Sequence, residues 1–190
     1  MKRQAECEVN KKRRVALKIP EYSDYEYIYD SRFRDDVVYW ADEGPQILSR
    51  EDYAKTRMLM QHYGQVFERI IDLDGEPIGT ISARPHGLST QCILSIVIAI
   101  PEYWGHGYGS VALKLFKTLL WDEGYKVAVL ETYANNKRAQ RCFMKVGFCK
   151  RRAFFSGHTG RFVVEMCCRL SSPKAIGEVI KRGDPRWKVR

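Results

Sequence analysis

The segment that decides the fold runs from Cys92 to Trp121. It opens as Cys92-Ile93-Leu94-Ser95-Ile96-Val97-Ile98-Ala99-Ile100 and continues as Pro101-Glu102-Tyr103-Trp104-Gly105-His106-Gly107-Tyr108-Gly109. Ser110 to Trp121 then sets Val111, Leu113, Leu115, Phe116 and Leu119 at helical spacing. The first run is almost continuous in β-branched and aliphatic side chains, which predicts a strand buried on both faces and closed by Pro101. A strand thus enters a glycine turn and leaves it as a helix. Glycines at alternate positions let the backbone bend sharply and approach a ligand, while the first helical turn offers unpaired N–H groups and the positive end of the helix dipole. Together these make an anion site. The spacing is not GxGxxG, and Ser110-Val111-Ala112 lacks the Lys-Ser/Thr of a phosphate-binding loop, which disfavours nucleotide-triphosphate hydrolysis. Alone, such a turn is either a phosphate site or a plain structural turn.

Outward from this segment the elements alternate. Val15 to Ile19 reads as a first strand, Ser23 to Arg34 as a short amphipathic helix capped by Ser23, and Pro45 as a break. Ser49, Glu51 and Asp52 open a second helix to about His62, with Ala54, Met58 and Met60 as its apolar members. Val66 to Asp72 and Ile78 to Ala83 form a hairpin about Asp74-Gly75-Glu76-Pro77, and Pro85-His86-Gly87 ends the second strand. Beyond Gly124 come a strand from Val127 to Tyr133, a helix from Asn136 to Val146 stopped by Gly147, and a closing antiparallel pair, Phe148 to Phe155 and Arg161 to Leu170. The order predicts a mixed α/β sandwich.

At 190 residues, 45% hydrophobic, the chain suits one domain, expected over residues 15–170 between a basic tail at 1–14 and another at 171–190. Residues 1–18 carry seven basic and two acidic side chains, and residues 171–190 six and two, so the ends account for the whole net charge of +9. A basic folded surface is not implied, although basic tails with Trp187 permit weak contact with nucleic acid or the ribosome. Glu21 to Glu43 holds eight acidic residues against Arg32 and Arg34. That stretch is either a solvated surface or a site for a cation, with Asp30 and Asp35 as its substrate-binding candidates. No apolar run is long enough to span a membrane, and Met1 to Pro20 lacks a signal-peptide core, so a cytoplasmic, membrane-free protein is expected, monomeric or homodimeric. Cys7, Cys92, Cys142, Cys149, Cys167 and Cys168 show neither CxxC nor metal-ligand spacing, so buried free thiols and no metal are expected.

The glycine-turn string resembles the coenzyme-A pyrophosphate motif of the GNAT N-acetyltransferase superfamily. Within it, Tyr103-Trp104-Gly105-His106-Gly107-Tyr108 is similar to the branch that holds ribosomal-protein N-terminal, antibiotic and polyamine acetyltransferases. A second motif follows at about the right distance: Asn136-Lys137-Arg138-Ala139-Gln140-Arg141-Cys142-Phe143-Met144-Lys145-Val146-Gly147-Phe148 resembles the family's Asn-x-Arg-Ala-x-x-x-Tyr-x-Lys-x-Gly-Phe. The resemblance covers residues 66–170 closely and the first 65 loosely. It implies a mixed central sheet with splayed middle strands and helices on both faces, and acetyl-CoA as co-substrate. It also implies pyrophosphate bound at Gly105, His106, Gly107, Tyr108, Gly109 and Ser110, pantetheine paired along Ile98 and Ile100, and Asn136 near the thioester. Asn136 is equally a helix N-cap, and Trp104 stands where relatives often carry Arg or Gln.

Amide formation needs a neutral amine, a donor for the developing oxyanion and a proton for the leaving thiolate. Many relatives place a carboxylate on the strand before the glycine turn, but Cys92 to Ile100 has none. Glu131 on the next strand is the first candidate base, or else an exposed residue paired with Lys or Arg; Glu165 is a weaker candidate. The Tyr that often acts as general acid in the family falls on Phe143, which cannot donate, leaving Tyr133 or water. The expected activity is direct acetyl transfer to a primary amine, of a protein or peptide or of a small cation. An acyl-CoA-binding module without catalysis is the alternative, and so is an acetyltransferase that reaches ribosome- or RNA-associated substrate through its tails.

Overall fold

The computed structural model describes residues 13–41 and 48–172. The expectations for Cys7, Pro45 and nearly all of both tails lie outside the described residues. The elements are β1 (Val15–Lys18), α1 (Tyr22–Arg32), α2 (Asp35–Ala41), α3 (Arg50–His62), β2 (Phe67–Leu73), β3 (Glu76–His86), β4 (Leu88–Ile98), α4 (Tyr108–Asp122), β5 (Val127–Tyr133), α5 (Lys137–Lys145), β6 (Cys149–Ser156) and β7 (Arg161–Arg169). The strands form one mixed sheet in the order β1-β2-β3-β4-β5-β7-β6. Every neighbouring pair is antiparallel except β4 and β5, which run parallel.

Period-2 alternation sends neighbouring residues to opposite cores. Ile71 and Leu73 enter a core with Phe116 and Leu120 of α4, Phe143 of α5 and Val146 just after it. Ile70, which precedes Ile71 on the strand, joins Tyr25, Ile28 and Tyr29 of α1 and Tyr53 and Ala54 of α3 on the other face. Helices therefore cover both faces. Each fully buried Leu, Ile or Phe contributes roughly 1.5–3 kcal/mol of apolar transfer, so the two cores drive the layering.

Four expectations are corrected. The first helix begins after Glu21, not Ser23, because Asp24 Oδ2 accepts the Glu21 N–H at 2.9 Å. Helix α2 is an addition: its β-branched and aromatic residues read weakly as helix, but the Arg34 carbonyl accepts from the amides of Val37 and Val38, both at 2.9 Å, and Asp35 and Asp36 suit its N-terminal dipole. Pro85 does not end its strand, since β3 continues to His86 and turns directly into β4 at Gly87, whose φ of 60° favours glycine. Finally, β4 is buried on both faces only in part, for Val97 is buried on the face toward α1 and α3 while Ser95 on that face is open. Cys92 and Leu94 reach the core, but Ser95 is exposed, because a cavity of about 160 Å³ separates this stretch from α1 and α3.

Where β3 crosses the end of β4, Gly79 is fixed by a close approach. A Cβ there would lie 2.1 Å from Val97 O and 2.9 Å from Ile98 Cα. Gly79→Ala is expected to cost about 3 kcal/mol through overpacking, lowering Tm by roughly 6–12 °C for a chain this long. Gly157→Ala, with no atom near its Cβ, should leave the melt unchanged; equal melts for the two variants would contradict the packing.

Candidate active site

The pairing of β4 with β5 stops early. Gln91, Cys92 and Ile93 lie opposite Val127, Ala128 and Val129, and beyond them β4 stays on β3 while β5 stays on β7. A gap opens between two strand edges, and an unpaired edge is a template for an added extended segment. Ala99 N donates to Ile78 O at 2.8 Å on the β3 side, so alternation turns the backbone of Ile98 and Ile100 toward the gap. Their carbonyls are engaged: Trp104 Nε1 donates to Ile98 O at 2.8 Å, and Tyr103 N to Ile100 O at 3.1 Å. What they present to a ligand is therefore their N–H groups.

At the end of this edge stands the glycine turn. Gly105 and Gly107 have φ of 85° and 87°, a conformation strained for other residues. Gly107 is the N-cap of α4, with no side chain to cap the helix and no acid in the first turn. Ser110 N and Val111 N donate to Gly107 O at 3.0 and 3.2 Å, so the amides that stay available to an anion are those of Tyr108 and Gly109. Side chains on both sides hold the turn in place. Glu76 accepts from Tyr103 Oη at 2.8 Å and from Tyr27 Oη at 3.0 Å, Arg34 pairs with Glu102 at 3.0 Å, and the Arg138 guanidinium stacks 3.9 Å from the Trp104 ring. Behind the turn, Ser110 Oγ lies 3.2 Å from Cys142 Sγ. A pyrophosphate fits this cradle of uncapped amides and glycine surfaces.

The face of the sheet toward α1 and α3 carries a polar row. Register partners point to one face, so Glu68, Ser82 and Ser95 stand side by side on β2, β3 and β4. Ile93 and Val129 are the last parallel pair, and the next residues on that face are Ser95 and Glu131, one on each lip of the gap. The row continues through Glu165 to Arg152. Glu165 is 4% exposed and is bound by Arg152 Nη2 at 2.7 Å and by Arg151 Nη1 at 3.3 Å. Its hydrogen bond, and secondarily the charge of Glu131, raise the Arg152 pKa. Arg152 thus offsets two carboxylates that would otherwise repel. Glu131 itself is exposed and makes no ion pair among the described residues.

The other sequence candidates fall as follows. Tyr133 lies on the same face as Glu131, its ring buried 3.4 Å beneath the Arg161 guanidinium, which also donates to Tyr39 O at 2.9 Å. Beside it a hollow is lined by Ala134, Asn135, Lys137, Arg161 and Phe162. Asn136 is buried and caps α5, accepting the Ala139 amide at 3.1 Å. His106 stacks on Tyr108 and is exposed. Phe143 packs against Phe148 in the core, so its lost hydroxyl is accommodated by apolar contact. Asp30 is paired with Arg50 at 2.6 Å, and Asp35 is exposed on the first turn of α2. Sequence reasoning missed three features: the Trp104–Arg138 pair, Ser95 as a lip residue, and the arginines of the cavity under α1 and α3. The alternation of Thr80, Ser82 and Arg84 with Ile81 and Ala83 was a signal for the last.

A family model described as the Acetyltransferase (GNAT) family matches residues 25–148, and the chain belongs to that family. It is an N-acetyltransferase of the GNAT type. Sequence comparison with curated proteins gives no match. Among solved structures, the chain is similar to the aminoglycoside acetyltransferase AAC(6')-Ib in complex with coenzyme A, with a TM-score of 0.67 and 20% identity over 86% of this chain and 97% of that one. It is similar to the spermidine N-acetyltransferase of Vibrio cholerae in complex with CoA and spermine, with a TM-score of 0.71 and 16% identity over 82% and 95%. A GNAT-family acetyltransferase from Streptococcus pneumoniae superposes with a TM-score of 0.67 at 16% identity over 83% and 100%. These likenesses establish the shared fold. Among the described residues no helix is long and apolar enough to cross a membrane, and no group of His, Cys, Asp or Glu is placed to hold a metal.

Cys92, Cys142, Cys149, Cys167 and Cys168 are free thiols. Burial pushes the Cys142 thiol up, outweighing Ser110 and Lys145, so it is neutral at pH 7 and a poor nucleophile. Cys142→Ala should keep the transfer rate within about twofold, and mass spectrometry of the wild type with acetyl-CoA should show no acetyl adduct. An adduct at Cys142 together with an inactive variant would contradict direct transfer.

Proposed function

We propose that the chain transfers an acetyl group directly from acetyl-CoA to a primary amine held on the α1 and α3 face of the gap. The observation that carries this reading is the gap itself, with Ser95 and Glu131 on its lips and the glycine turn at its end. Bound acetyl-CoA supplies the activated acetyl thioester. The amides of the turn and of Tyr108 and Gly109 at the start of α4 bind the pyrophosphate, while Ser110 N is held by Gly107 O, and the N–H groups of Ile98 and Ile100 bind pantetheine as an added strand edge. Asn136, while capping α5, borders the same arm.

An amine of pKa about 8–10 is mostly protonated at pH 7, so attack requires a base. Glu131 takes that proton, directly or through one water, because it is the exposed carboxylate on the lip while Glu165 is committed to its arginines. Tyr133, on the same strand face, returns a proton to the departing thiolate. Both acceptor classes read from the sequence, a peptide or protein α-amine and a small amine, satisfy this chemistry.

Glu131→Gln should lower kcat/KM at pH 7 by roughly 10²–10⁴, the usual contribution of a positioned base. The deficit should shrink as pH rises past the amine's own pKa, where the free amine forms without help. Thiol release across a panel of amines from pH 6 to 10 reads both effects. An unchanged Glu131→Gln profile would overturn the base assignment, and tight CoA binding without thiol release for any amine would overturn the transferase reading in favour of a binding module.

A further inference from the structure

The cavity of about 160 Å³ beneath α1 and α3 opens onto the lip residue Ser95. Its polar lining consists of Arg32, Arg57 and Arg84 with the hydroxyls of Thr80, Ser82 and Ser95, and among the described residues that line it there is no carboxylate. Glu68 lies behind Arg57 and binds it, with Tyr25 Oη also donating to Glu68, so the Arg57 charge is matched. Arg32 Nη1 is aimed at Thr80 Oγ1 at 3.0 Å. Arg84 is exposed at the rim, in register with Ile93, and makes no ion pair among the described residues. Of the acids expected to attract a cation, Asp30 is tied to Arg50, as Asp24 is to Lys18 and Asp36 to Arg34, while Asp35 is exposed on α2 and does not line the cavity.

We infer that the acceptor is a small amine bearing a carboxylate a few bonds from its nitrogen, with Arg84 and the neighbouring hydroxyls holding the carboxylate while the amine reaches the gap between Ser95 and Glu131. This rests on the transfer reading above and narrows its substrate. The geometry follows from register. Arg84 and Ser82 are alternate residues on β3, and Ser82 faces Ser95, so the anion site and the reaction site are neighbours on one face. Arg presents a planar fork suited to carboxylate, and hydroxyls add donors. A polycation entering this cavity would meet Arg84 at its rim, a like-charge juxtaposition that selects against it. The cavity's size admits an amino acid or the end of an acidic peptide.

The test uses the full chain with acetyl-CoA and matched amines: L-alanine against L-alanine amide, a short peptide with Asp at its second position against the Asn peptide, and spermidine. The carboxylate member of at least one pair should exceed its amide by ~10-fold in kcat/KM, the weight of a charge-assisted pair. The pair that responds tells a free amino acid from an acidic peptide. Arg84→Gln should erase that preference by raising KM for the carboxylate member without lowering its kcat, and Arg84→Lys should restore part of it. Calorimetric binding of the same carboxylate and amide to the wild type and to Arg84→Gln reads the pocket apart from turnover. Equal use of carboxylate and amide, preference for spermidine, or carboxylate binding indifferent to Arg84 would overturn the inference. Arg84-dependent carboxylate binding without thiol release would support it and overturn the transfer reading alone.

Discussion

Among the described residues, the arrangement of the candidate site depends on a break in one hydrogen-bonded ladder. β4 and β5 pair at three residues and then part, each keeping its other neighbour. Backbone donors and acceptors left unpaired inside a fold are costly unless something meets them. On the β4 side, Trp104 and Tyr103 meet the carbonyls of Ile98 and Ile100. The facing amides are thereby singled out for a ligand, and the sheet's own economy of hydrogen bonds defines the slot.

The same break sorts the chemistry by face. Toward α4 and α5, the strands supply apolar residues, with Cys92, Leu94, Ala128 and Leu130 in one core. Toward α1 and α3, the row from Glu68 through Ser82, Ser95, Glu131 and Glu165 to Arg152 crosses the sheet at the level where the gap begins. Buried members of that row are matched, Glu68 by Arg57 and Tyr25, and Glu165 by Arg151 and Arg152. The exposed members, Ser95 and Glu131, lie at the gap. Exposed and ion-paired side chains are thus divided within one line across the sheet.

Much of this was legible in the sequence. The run from Val127 to Tyr133 gave its strand to the residue, Ser49 capped α3 as its spacing suggested, and the glycine turn with the Asn136 to Phe148 segment fixed the family. What escaped was set by tertiary contact. Helix α2 forms from residues of weak helical preference because the Arg34 carbonyl and two acids stabilise its start. The exposure of Ser95 depends on where α1 and α3 stop covering the sheet, which no local pattern records. The acidic count between Glu21 and Glu43 suggested a cation site, yet Lys18, Arg50 and Arg34 pair with three of those acids. Net charge along a chain does not say which charges face a ligand.

Amide hydrogen exchange with and without coenzyme A tests the central claim most directly, because the account assigns the cofactor to particular N–H groups. Binding should slow exchange at Ile98 and Ile100 and from Gly105 to Gly109, while the β2–β3 hairpin about Asp74 and Gly75 exchanges as before. Protection confined to other segments, with the amides of Ile98, Ile100 and the glycine turn unchanged at saturating coenzyme A, would contradict it.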